Sequence, residues 1–237
     1  MALPKIDLPL FELVLPSTGK KVKYRPFTVK EEKILLIAQE SKDVKQILLA
    51  IKQILGNCLQ DINVETLATF DLEYVLLNIR AKSVNDEITF SVKDPDTEEK
   101  VELTININEV EIKRFEGHNK VIQVSDDIVF QMKYPSISYL ETLKVSAEGE
   151  EENNSDSIMA VMKECIGVIA QGDQVFKFED FTEKEVNDFI ESLSSDIVMK
   201  IKKFFDTIPV MRYEKKYRDK TGKEKTFVAQ GMETFFT

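Results

Sequence analysis

The stretch Tyr24-Arg25-Pro26-Phe27-Thr28-Val29-Lys30-Glu31-Glu32-Lys33 limits the possible folds of this chain more than any other. Pro26 disfavours the helical region for Arg25, so the chain ahead of it stays extended. Thr28 stands at an N-cap position and Glu31 lies three residues on. At that spacing each side chain satisfies an orphan backbone N–H at the other's position. A strand therefore switches to a helix here. The switch is backbone physics and carries no chemistry of its own.

The neighbouring pattern agrees. Phe11 to Leu15 and Lys21 to Arg25 alternate like strands around the turn signal Pro16-Ser17-Thr18-Gly19, which predicts an N-terminal β-hairpin. After the switch, Ile34, Leu35, Ile37 and Ala38 mark the core side of a first helix. Val44, Ile47, Leu48, Ile51, Ile54, Leu55, Cys58 and Leu59 then recur every three or four residues, the clearest helical stripe in the chain. Gly56-Asn57 at its end predicts a frayed last turn. A third helix is expected from Thr69 to Asp71 onward, with Asp71 as its cap.

The hydrophobic period then changes from about 3.6 to 2. Ile88, Phe90 and Val92 alternate, as do Val101, Leu103, Ile105 and Ile107, around the loop Asp94 to Glu99. Val110 to Ile112 and Ile128 to Met132 are further strand candidates, so a small central antiparallel sheet is expected. The acids of the Asp94 loop lack the Gly and the twelfth-position Glu of an EF-hand. Ser138 to Glu141 starts another helix. Residues 148–156 are acidic and lack an apolar anchor, the composition of a linker.

The second half opens on Ile158, Val161, Met162, Cys165, Ile166 and Ile169 as one helical face, followed by a short strand at Val175 to Phe178. Phe181-Thr182-Glu183-Lys184-Glu185-Val186 repeats the opening device: Phe, a capping Thr, and Glu185 three residues after Thr182. Here Phe181 and Val186 also stand at hydrophobic-staple positions, which the first copy lacks. Val186, Phe189, Ile190 and Leu193 continue one stripe. Ile197, Ile201, Phe204 and Phe205 form another, ended by Pro209. Val210 to Glu214 and Lys225 to Ala229 flank Asp219-Lys220-Thr221-Gly222-Lys223, a C-terminal hairpin with a Gly turn. The expected fold is α+β: an N-terminal β-hairpin with a helical layer, a small central antiparallel sheet, and a second helical half ending in a β-hairpin. The expected boundaries are 1–147, a linker at 148–156, and 157–237.

Chemistry is sparse. The chain has 237 residues and a net charge of -10, an acidic balance that repels phosphate and makes nucleic acid and anionic membrane poor partners. There is one histidine, His118, with no partner visible near it in sequence. Cys58 and Cys165 sit at apolar helical spacing and fit buried thiols better than a disulfide or nucleophile. No Gly-rich phosphate loop, HExxH, GxSxG or CxxC occurs. No catalytic residue, metal ligand or cofactor site is expected; a hydrolytic site built on carboxylates, which need no local signature, is the enzyme alternative. Nothing near Met1 to Lys5 has the length of a signal or membrane segment, so a soluble intracellular protein is expected. Between Arg212 and Lys225 seven Lys or Arg stand against three acids, a locally basic segment on an acidic protein.

The stretches Lys21 to Leu36 and Phe70 to Ser83 (FDLEYVLLNIRAKS) resemble the baseplate hub assembly proteins of T-even-type contractile-tailed bacteriophages. The likeness covers about residues 10–115, and the terminal hairpin followed by Gly231 and the pair Phe235-Phe236 is similar to the family's ending. Some relatives carry Cys pairs in the hairpin held here by Asp94 to Glu99; this chain has none, so a metal knuckle there is not expected. The resemblance implies a non-enzymatic protein that helps build the baseplate hub by binding other hub or tape-measure proteins. It implies action in the host cytoplasm during assembly. Retention in the virion baseplate as a structural subunit is the alternative, and a homo-oligomer is compatible with either. The candidate partner-binding residues are Lys215, Lys216, Arg218, Phe235 and Phe236. Thr28, Glu31, Thr182 and Glu185 are assigned to structural capping.

Overall fold

A computed structural model of the chain describes residues 6–41, 43–93, 100–137, 139, 155–219 and 221–231. The Asp94 to Glu99 loop, residues 148–154, most of the helix expected from Ser138, and Phe235 and Phe236 lie outside the described residues, whereas Ser155 and Asp156, expected in the linker, begin a helix.

The first part of the chain contains β1 (Phe11–Val14), β2 (Lys21–Tyr24), α1 (Val29–Ser41), α2 (Val44–Cys58), β3 (Leu59–Gln60) and α3 (Thr69–Ser83). Next come β4 (Glu87–Lys93), β5 (Lys100–Asn106), β6 (Glu111–Lys113), β7 (Val121–Gln123) and β8 (Ile128–Met132). The remaining elements are α4 (Ser155–Cys165), β9 (Ile166–Gln171), β10 (Gln174–Phe176), α5 (Glu183–Glu191), α6 (Ser195–Asp206), β11 (Val210–Arg218) and β12 (Glu224–Gln230). The fold is α+β, with a hairpin at each end of the described chain. Its contacts divide it into two units: Met1–Lys113 with Val210–Thr237, and Arg114–Pro209. This grouping differs from a linear split at 148–156. The terminal hairpin joins the first unit because β11 pairs with β6, Val210 opposite Lys113.

In the first unit, β1 and β2 pair with Phe11 opposite Tyr24, and β3 adds a third strand. The helical stripe of α2 ends at Cys58, so Leu59 leaves the helix to pair with Tyr24. No fraying occurs at Gly56-Asn57, because Leu59 N–H still bonds Leu55 O and Asn57 is held by Glu31. Ile51, Ile54, Leu55 and Cys58 are almost wholly buried. Each such Leu or Ile contributes about 1.5–3 kcal/mol relative to exposure.

Helix α3 is apolar around most of its circumference, with Leu72, Val75, Leu76, Leu77 and Ile79 all buried. A helix without a polar face belongs at the centre of its unit. Its N-cap position is Ala68, not Asp71. Asp71 sits in the first turn, is 1% exposed, and accepts hydrogen bonds from the backbone N (2.9 Å) and hydroxyl of Ser17. The aspartate therefore fastens the first hairpin turn to α3, where the helix dipole also favours its charge.

The strands expected to form one central sheet are shared among three. β4 and β5 make a two-stranded pair, β6 joins β11, and β8 lies in a four-stranded sheet of order β10-β9-β8-β7. The last is the sheet of the second unit. Ile166 and Ile169, expected on a helix, lie on β9 instead. Ile166, Val168 and Ile169 are β-branched, and Gly167 weakens a helix at that point. In β9 these residues pair with β8, and Ile169 also pairs with Phe176 of β10. Gly167 suits this position, since a Cβ would sit 3.1 Å from the Gln131 carbonyl oxygen, tighter than an ordinary contact. Phe130, Met132, Cys165, Ile166, Val186, Ile190, Ile201 and Phe204 form this unit's core.

Candidate functional site

The terminal hairpin shows how a period of two sorts the candidate contact residues. Met211, Tyr213, Lys215 and Tyr217 fall on one face of β11, and Arg212, Glu214, Lys216 and Arg218 on the other. Met211, Tyr213 and Ala229 pack with Leu77, Ala81, Ile88, Ile105 and Ile107, so the first face is the core side. Lys215 lies on that side, half-buried, and donates to the carbonyl of Thr104. Lys216 and Arg218 are exposed on the outer face. Lys216 pairs with Glu224 at 3.2 Å, and Arg218 stands directly opposite Glu224 across the ladder. The structure thus brings Lys216 and Arg218 together and sets Lys215 apart.

The hairpin is firmly built. Asp219 accepts from Thr221 N (2.9 Å), Thr221 Oγ1 (2.6 Å) and Lys223 N (3.0 Å), and pairs with Lys225 at 3.2 Å. The Thr221 hydroxyl, ahead of the backbone donors and Lys225, holds the Asp219 carboxyl below its ordinary range. Gly222 has φ +85°, a left-handed conformation that favours Gly. Tyr213 Oη donates to Glu109 at 2.9 Å, tying β11 to the turn after β5.

The two capping devices differ in surroundings. At the first, Thr28 N donates to Glu31 Oε2 at 2.8 Å, and Thr28 Oγ1 also donates to that oxygen. Lys30 N donates to Thr28 Oγ1 at 3.3 Å. Glu31 is 2% exposed and further bonded by Arg25 at 3.0 Å and Asn57 at 3.3 Å. Burial pushes its carboxyl up, but Arg25 and the Thr28 donors outweigh burial and bring it to about 2. Arg25 N bonds Cys58 O at 2.9 Å, and Phe27 N bonds Ser83 Oγ at 2.7 Å. The switch therefore joins β2 to the ends of α2 and α3. At the second, Thr182 N and Oγ1 donate to Glu185 Oε2 at 2.8 and 2.7 Å, and Glu185 N returns to Thr182 Oγ1 at 3.4 Å. The reciprocal box is complete, and Glu185 is exposed. The Thr182 hydroxyl and then its N–H lower the Glu185 carboxyl.

His118 has partners that the sequence does not reveal. Nδ1 lies 2.9 Å from Thr207 Oγ1 and Nε2 3.0 Å from Tyr134 Oη, and the ring stacks on Phe204 and Tyr134. Thr207 Oγ1 donates to Lys203 O at 2.8 Å, so it accepts from Nδ1–H; Tyr134 then donates to Nε2. Burial, then Lys120 and Arg114, lower the pKa of the imidazole and favour this neutral form. Thr207 is 89 residues away, and no local signal announces it. Burial raises Cys58 to about 11 and Cys165 to about 12, so both are protonated thiols near neutral pH. Among the described residues no group of three or more His, Cys, Asp or Glu is placed to hold a metal ion.

The second unit carries a groove missed by sequence reasoning. Ile128, Ile169, Phe176, Phe178, Val186 and Phe189 line a space of about 360 Å³, with Phe181 and Glu185 at its border. Phe178 meets Phe189 edge to face at 5.9 Å, and Phe176 lies 6.3 Å from Phe181. The density of Phe between 176 and 189 was the available signal. Sequence spacing assigned Phe181 to a staple with Val186, whereas Phe181 is 43% exposed.

No helix among the described residues is long and apolar enough to cross a membrane. Neither a curated protein nor a solved structure matches the chain. The family model described as "T4 bacteriophage base plate protein" matches residues 8–237, nearly the whole sequence and both structural units. The chain belongs to the T4 bacteriophage base plate protein family.

Proposed function

We propose that this protein is a non-enzymatic baseplate hub assembly factor that acts by binding other hub or tape-measure proteins. The family match over residues 8–237 supports a baseplate role. The observation that carries the binding mode is the outer face of the terminal hairpin. There Lys216 and Arg218 are exposed on a two-stranded ladder clamped by Asp219 and anchored by core residues Met211 and Tyr213. A rigid, charged face loses little entropy on binding and favours an acidic partner surface. The assembly step takes place in the host cytoplasm, with no nucleic acid, membrane or cofactor involved.

The test is co-purification of phage proteins from infected cells on tagged wild-type chain and on a Lys216→Glu/Arg218→Glu variant. Wild type captures a baseplate protein, and the variant captures less, with the larger difference at low salt. Equal capture at every salt concentration overturns the binding mode. Mass spectrometry of purified particles tests the assembly role: an assembly factor is absent, whereas a stoichiometric copy number identifies a structural subunit of the hub.

A further inference from the structure

The charge of this chain is unevenly divided. Arg114–Pro209 holds 19 acidic and 10 basic residues, net -9 out of the whole chain's -10. The other unit is close to neutral, and its terminal hairpin is locally basic. The aromatic groove lies on the acidic unit. Asp127, Asp173, Glu179, Asp180 and Glu183 are exposed on the turns and helix start that border it, against Lys177 and Lys184. Gly172 N bonds Asp127 O at 3.2 Å, which places the β8 and β9 turns side by side. Lys177 pairs with Glu179 at 3.4 Å and Lys163 with Glu183 at 3.9 Å.

The hairpin offers the complementary surface. On its outer face Lys216 stands opposite Thr226 and pairs with Glu224 at 3.2 Å, Arg218 stands opposite Glu224, and the exposed Val228 stands opposite Glu214. The sequence past Gly231 supplies two aromatic side chains, Phe235 and Phe236. We infer that the groove of one copy receives the basic hairpin, and the segment following it, of a second copy. The contact is heterologous: different surfaces meet, so a pair of copies keeps one free hairpin and one free groove. The charges bring the two surfaces together, and the groove, within the size range of ligand pockets, takes an aromatic ring. This inference rests on reading the hairpin as a contact surface, but it concerns the purified chain alone. Its failure is therefore distinguishable from a failure to capture other baseplate proteins.

Sedimentation of the purified full chain over a range of concentrations, at low and high salt, tests it. Wild type is expected to self-associate with increasing concentration at low salt, and more weakly at high salt. Lys216→Glu/Arg218→Glu and, separately, Asp173→Lys/Glu179→Lys each weaken association roughly tenfold or more. All four positions are exposed, and circular dichroism checks that both variants are folded. Mixing the two variants is the discriminating arm. The intact groove of the first meets the intact hairpin of the second, and the acidic hairpin of the first meets the now basic groove rim of the second, so mixing restores the association that each variant alone has lost. A wild-type chain that stays monomeric, association indifferent to either charge reversal, or variants that fail to pair on mixing each overturns the inference.

Discussion

Thr28-Glu31 and Thr182-Glu185 are the same four-residue device in two environments. Both hold a carboxylate against the N-cap backbone N–H, at 2.8 Å in each case. At the second the device does only that: the box is complete, exposed, and starts α5. At the first the carboxylate is almost fully buried and also carries Arg25 and Asn57, while the adjoining backbone reaches Cys58 and Ser83. The motif sets where a helix begins. What is packed around it decides whether losing it is a local or a unit-wide event.

Substitutions should separate the two sites. Glu31→Ala carries the largest expected effect, about 2–3 kcal/mol in urea unfolding, since it strands a half-buried guanidinium and two N-cap donors. A loss as small as that of Thr182→Ala would erase the distinction. The pH dependence sharpens it. The folded-state pKa of Glu31 is depressed from 4.5 to about 2, so its contribution is present above pH 4.5 and lost as pH falls toward 2. Wild type should lose more stability across that window than Glu31→Gln; parallel curves would contradict the buried pair. Thr28→Ala should cost about 1–2 kcal/mol, because it removes a cap and a donor to Glu31, and Thr182→Ala about 0.5–1 kcal/mol. Glu185→Ala is expected to give the smallest change in the same titration.

A further pH effect belongs to the second unit. The folded-state pKa of His118 is depressed below 6.5, so the stability it contributes is present above pH 6.5 and declines as pH falls below it. Unfolding of His118→Phe should lack that decline, and an identical pH profile would refute the neutral assignment.

What could be read from the sequence was whatever depends on neighbours along the chain. The capping spacings, the α2 stripe, and both terminal hairpins follow from local periodicity and turn chemistry. Pairing between distant segments could not be read. Leu59 continues the α2 stripe yet pairs with Tyr24 as a strand, and Ile166 and Ile169 fit a helical face yet complete a sheet. Asp71 has the composition of a cap and is used by Ser17, 54 residues away. The hairpin's alternation was legible and already places Lys215 opposite to Lys216 and Arg218. The groove was not, because a Phe-rich segment reads as core until the exposure of Phe181 is known.

The central claim is that the first switch fixes the frame carrying the hairpin. Glu31 holds Arg25, Phe27 bonds Ser83 at the end of α3, and Leu77 and Ala81 of α3 pack on Met211 and Tyr213 of β11. Hydrogen–deuterium exchange of the full chain tests this directly. In Glu31→Ala, amide protection should fall in β2, in β3, at the end of α3, and in β11. In Glu185→Ala the change should stay within the first turn of α5. Exchange in Glu31→Ala that rises only in the first turn of α1 would contradict the claim.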